Sequence, residues 1–179
     1  MSRGIPLRVN LQVFSFYLCA CMGFAASATA QSSQPDLLVR READVNWIGD
    51  NVYNLTGVGQ SRFSEIEPGE TACYWVQVSN DGAVTNSVRV TATPATPGWT
   101  AAFFKMDGTN QTDLTTDMLG GGHVLTLRPK AAVDLLVEVE ALATAPHGST
   151  NVVSLSATTE SPSSLGDVVA LSDTTLVLP

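Results

Sequence analysis

The chain has 179 residues, 9 of them Lys or Arg and 17 Asp or Glu, for a net charge of −8 near neutral pH. Nucleic acid phosphates and anionic membranes are recognised by clustered positive charge, so this balance excludes nucleic acid binding and leaves solubility, cation association or a basic partner. The length is one domain's worth of chain after a short leader, enough to bury a sizeable core without a disulfide framework.

The N-terminus reads as an export signal. Arg3 and Arg8 supply positive charge, residues 11–26 form an uncharged apolar run, and Ala28-Thr29-Ala30 places small residues where a signal peptidase cuts, before Gln31. That run is too short to span a bilayer comfortably, and Ser27, Thr29 and Gln31 follow it in place of a stop-transfer flank. The expectation is a helical signal peptide over 1–30 and a single exported domain over 31–179, secreted, periplasmic or at the cell surface. No transmembrane anchor is expected after cleavage. Cys21, within Leu18-Cys19-Ala20-Cys21, is the alternative as a lipidation site, but the apolar run continues to Ala26 where a polar tether would begin. Losing Arg3 and Arg8 leaves seven basic residues and a net charge of −10.

Beyond Gln31 the apolar residues recur with period two, the signature of half-buried strands. Residues 36–40 open the series. Tyr74, Val76 and Val78 then alternate with Cys73, Trp75 and Gln77 until Asn80-Asp81-Gly82 supplies a turn. Residues 87–93 are rich in Val and Thr and stop at Pro94. Trp99, Ala101 and Phe103 alternate with Thr100, Ala102 and Phe104 before Asp107-Gly108, which places Trp99 and Phe103 in the core and Phe104 outward. Residues 113–119 are the one stretch with helical character. Residues 124–128 follow. Val133, Leu135, Val137 and Val139 then face away from Asp134, Glu138 and Glu140, and 151–158 and 167–178 end the chain. About eight strands with no crossover helix predict an all-β fold, an immunoglobulin-like antiparallel β-sandwich. Residues 174–178 are expected to form a terminal strand whose unpaired edge invites assembly unless it lies centrally.

The most distinctive stretch is 44–60, DVNWIGDNVYNLTGVGQ. Asp44, Asp50, Asn51 and Asn54 are oxygen-bearing residues on one loop, the chemistry that calcium selects, although the spacing is not that of a helix–loop–helix site. The competing reading is that these Asx side chains cap turns while Gly49, Gly57 and Gly59 take positive φ. Trp75, with Trp47 and Tyr53 from the loop, is the candidate set for stacking on a sugar. Catalysis has little to stand on. His123 and His147 sit in turn contexts, no serine lies in a nucleophile elbow, and two histidines with Cys73 fall short of a typical zinc set. Glu138 and Glu140 read as a solvated strand face. Cys73, alone after the leader, reads as a small packed hydrophobe.

The segments 34–40, 49–54, 57–60, 74–82, 98–100 and 103–104, followed by a strand rich in Val and Glu, resemble the uncharacterised bacterial extracellular immunoglobulin-like modules that accompany carbohydrate-active enzymes. The resemblance implies a β-sandwich with no cofactor and no catalytic residues. Such modules occur in tandem, whereas here one copy follows the leader directly, so the chain is either free-standing or the first piece of an array. The reading is a secreted, non-catalytic domain with a structural or interaction role of the scaffold or adhesion type, toward a protein or glycan at the cell surface. A small carbohydrate-binding module and a calcium-stabilised surface domain are the alternatives.

Overall fold

The computed structural model describes residues 34–160 and 165–176. The expected signal peptide, its expected cleavage between Ala30 and Gln31, and the lipidation alternative at Cys21 lie outside the described residues. Ten strands and one short helix follow in the order β1 (Pro35–Arg41), β2 (Ser61–Ile66), β3 (Thr71–Asn80), β4 (Asn86–Ala92), β5 (Trp99–Asp107), β6 (Asn110–Asp113), α1 (Thr115–Gly120), β7 (His123–Leu127), β8 (Ala132–Ala141), β9 (Thr150–Thr159) and β10 (Gly166–Thr175). They form two five-stranded sheets, β1-β3-β8-β5-β6 and β2-β10-β9-β4-β7. The fold is an all-β sandwich, as the periodicity implies.

Alternation along each strand decides what the two sheets bury. Tyr74, Val76 and Val78 of β3 are fully buried, as are Val137 and Val139 of β8, Val153 and Leu155 of β9, and Val169 and Leu171 of β10. Phe103 lies fully inside and Trp99 nearly so. Truncating a side chain such as Phe103 to alanine costs about 3–5 kcal/mol in a core of this kind. The turn after β3 is built by Asn80, whose side-chain amide donates to Val84 O (2.8 Å) and Leu127 O (3.0 Å) while its Oδ1 accepts Gly82 N–H (3.1 Å). The helix α1 docks through Thr115, whose hydroxyl accepts Phe103 N–H at 3.0 Å, and it buries Met118.

Four expectations need correction. There are ten strands, because β2 and β6 lack an apolar stripe: Ser61–Ile66 buries only its last residue fully and Asn110–Asp113 is exposed throughout. Pairing is not purely antiparallel, since β2 runs parallel to β10. The terminal strand is not an edge, because β10 lies between β2 and β9, with Thr174 opposite Glu65 on one side and Thr150 on the other. Cys73 is not a core residue. It shares the outward phase of Trp75 and Gln77 and is half-buried beside a groove.

Candidate functional site

The long connection from β1 to β2, residues 42–60, wraps the edge of the first sheet. Val39 and Ile48 exchange two backbone hydrogen bonds (2.8 and 3.0 Å), so the loop itself covers part of the β1 edge. Gly49, at φ 102°, passes so close to β1 that a Cβ there would stand 2.5 Å from Leu37 O and 2.9 Å from Gln60 Oε1. Only glycine fits that crossing.

The loop is fastened by a carboxylate that the sandwich buries. Asp167 falls on the inward phase of β10 with Val169 and Leu171 and is fully buried. Its Oδ1 accepts Gln60 Nε2 (2.7 Å), Val168 N–H (2.9 Å) and Asn54 N–H (3.0 Å), and its Oδ2 accepts Leu37 N–H (2.8 Å). One side chain thus ties β1, the loop and β10 together across more than a hundred residues of chain. A polar group buried this way is tolerable because donors replace its hydration.

A second carboxyl, Asp36, is 1% exposed on the opposite phase of β1. Its Oδ2 accepts Asn51 N–H at 3.1 Å, while Oδ1 finds no donor among the described residues. Burial pushes this carboxyl up to about 7, against the lowering effect of the Asn51 hydrogen bond and helped by the charges of Asp81, Asp167 and Asp50. Tyr53 donates to Asp81 Oδ2 at 3.2 Å, and burial first, then the nearby carboxylates, pushes its phenol upward.

The oxygen-bearing residues of the loop are committed separately. Asp44 lies 2.8 Å from Arg41 Nη2 and 2.9 Å from Arg62 Nε, and its hydrogen bonds to Arg41 hold its carboxyl down at about 2. Asn54 caps a turn, its Oδ1 accepting Thr56 N–H and Oγ1–H at 2.9 Å. Asn51 takes a left-handed conformation at φ 58°, and Asp50 is exposed. Among the described residues no three His, Cys, Asp or Glu side chains gather in a metal-holding group.

Trp75 does face outward, but it is not a bare platform. The Arg40 guanidinium sits 5.5 Å from its ring centre and 5.0 Å from that of Trp47, stacked between strand and loop. Arg40 is steadied by a hydrogen bond from Nη1 to Asp44 O at 3.1 Å. Strand register continues the row across the sheet: Arg40 opposes Trp75, Trp75 opposes Leu136, Leu136 opposes Phe104, and Phe104 opposes Asp113. Leu136 is 8% exposed although it points away from the core, since aromatic neighbours flank it.

The histidines stay apart. His123 Nδ1 is 3.0 Å from Asp117 at an exposed position, and His147 Nδ1 donates to Leu176 O at 2.8 Å. An open groove of about 440 Å³ beside α1, lined by Arg89, Thr116, Asp117 and Gly120 to Gly122, contains no serine or cysteine. Another, of about 390 Å³, exposes Cys73 with Ser64 and Glu65, and there burial, with the charges of Glu42 and Glu138, pushes the thiol up and away from the reactive thiolate.

Sequence reasoning missed Asp36, Gln60, Asp167 and the core pair Tyr74–Asp173, in which the phenol donates to Asp173 Oδ1 at 2.5 Å. A signal existed for two of them: Asp167 and Asp173 fall in step with Val169 and Leu171, so an unbroken strand must carry both acids inward.

No family model matches the chain, and no curated protein matches it. Among solved structures it is similar to a family 123 glycoside hydrolase from Clostridium perfringens, at TM-score 0.46 and 8% identity over 66% of this chain, but it spans only 23% of that protein's length. It is also similar to a FixG-related protein from Vibrio parahaemolyticus (TM-score 0.45, 10% identity, 82% of this chain and 100% of that one). The human CEP192 PapD-like domain 7 is similar at TM-score 0.43 and 9% identity, over 88% of this chain and 97% of that domain.

Proposed function

We propose that this chain is a non-catalytic interaction module, exported to a bacterial surface or periplasm, whose β1–β2 loop is the docking element. One observation carries the reading. The loop backbone is pinned by the buried Asp167 carboxylate and by the Val39–Ile48 bridge, yet its apolar side chains point to solvent: Val45 is 92% exposed, Val58 74% and Leu55 66%. Apolar groups held outward on a rigid backbone lose little conformational freedom when a partner covers them, which favours binding.

The test is binding of labelled 31–179 protein to intact bacterial cells. The expected result is saturable binding that weakens at least tenfold in the Leu55→Asp/Val58→Asp double variant, with an unchanged melting temperature. Equal binding by the variant, or no saturable binding by the parent, overturns the reading.

A glycan ligand is the second reading, favoured by the outward row Trp75–Leu136–Phe104. Because Arg40 already occupies Trp75, the open part of that row lies toward Phe104. A glycan array positive for the parent and negative for Phe104→Ala supports it, and an array without hits removes it.

A further inference from the structure

We propose that the outer face of the β2-β10-β9-β4 sheet is a self-association surface whose occupant is the same face of a second copy of this chain. The face is continuous: β9 and β10 pair through nine consecutive residues without a bulge. Its outward side chains are small and mostly uncharged, Thr91–Ser156–Val168 in one row and Phe63–Ser172–Val152 in another. Phe63 and Val152, both 50% exposed, flank Ser172 on either side. Charge enters only at the margins, with Glu65 on β2 and with Arg89 on β4, which is already paired to Glu160 at 2.8 Å.

Charge selects the occupant. The opposite outer face carries Asp134, Glu138, Glu140 and Asp113, and the whole chain is strongly acidic. Two such bodies meet with least repulsion through the broad face that keeps its acids, Glu65 and Glu160, at the margins. A sheet face of small side chains suits another sheet at the spacing of about 10 Å found between stacked sheets. An isologous contact of the same face on both copies closes at two and leaves no growing end. Four strands about 4.8 Å apart and some six to ten residues long present roughly 500–600 Å² per copy, below the about 800 Å² of a standard interface. The dimer is therefore weak and concentration-dependent.

Sedimentation velocity of the 31–179 protein from micromolar to millimolar concentration tests this, at low and at high salt. The expected result is a mass rising toward that of a dimer, at lower concentration in high salt, where the acidic repulsion is screened. Ser156→Arg and Ser172→Arg are each expected to weaken association at least tenfold, and Glu138→Arg on the other sheet to leave the uncharged contact in place. Should either arginine variant melt below the parent, Val152→Glu makes the same test at an exposed position. A monomer throughout at both salts, a dimer that survives these charges, or one abolished by Glu138→Arg overturns the proposal. Ser156→Arg is further expected to retain cell binding while it weakens self-association, so the two readings fail separately.

Discussion

Two acids on β10, Asp167 and Asp173, sit six residues apart on the same inward phase, and the sandwich treats them differently. Asp167 is met by four donors, three of them backbone N–H groups, and serves as the fastening of a long loop. Asp173 is met chiefly by one phenol, and burial pushes its carboxyl up to about 6. A buried carboxyl surrounded by backbone donors has its hydration replaced, and one with few donors is pushed toward its neutral form, as at Asp173. What distinguishes the two ends of one strand is therefore the supply of donors, not the depth of burial, since both are essentially inaccessible.

The sharpest way to break this comparison is Asp167→Ala. It leaves the amides of Leu37 and Asn54 and the Gln60 side chain without their acceptor, so about 3 kcal/mol or more of stability is expected to go. Hydrogen exchange should show the loss first in residues 49–60, and uniform protection there would refute the fastening role. Tyr74→Phe removes one donor from the other end and is expected to cost about 1–2 kcal/mol by chemical denaturation. A loss as large as that of Asp167→Ala would erase the distinction.

Acidity provides a third test. The folded carboxyls of Asp36 and Asp173 titrate near 7 and 6, above the unfolded value of 3.8, so folding takes up protons between about 4 and 7. Their stabilising contribution is full below about 4 and is lost as pH rises through 6 and 7. The melting temperature should therefore fall across that window, and fall less steeply in Asp36→Asn. A melting temperature that climbs from pH 4 to 7 contradicts the assignment. Smaller still is Trp47→Ala, which removes half of the stack on Arg40 and is expected to cost about 0.5–1 kcal/mol. The smallest effect belongs to calcium. With Asp44 spent on two arginines and Asn54 on its own turn, neither millimolar calcium nor a chelator should move the melting curve.

Much of the sandwich was readable along the chain. The alternation of Tyr74, Val76 and Val78, the Asn80-Asp81-Gly82 turn, the inward Trp99 and Phe103 and the short helix overlapping 113–119 all have local causes, so they leave local traces. The site was less readable. Trp47 and Trp75 were singled out as aromatics, but nothing near either position shows that Arg40 lies between them. Gln60 reads as the end of a loop, and only the arrival of Asp167 from the far end of the chain makes it a fastening. β2 escaped notice because its pairing with β10, not its own pattern, holds it in place.

Strand phase, turn positions and the acidic surface follow from the sequence by itself, because side-chain alternation, glycine and Asx turn chemistry and net charge act over a few residues or over none. Which strands adjoin, that β10 is enclosed and that acids spread over one sheet face but only the margins of the other were decided only in three dimensions. Those outcomes rest on groups more than a hundred residues apart finding the same buried space, and no local pattern records such a meeting.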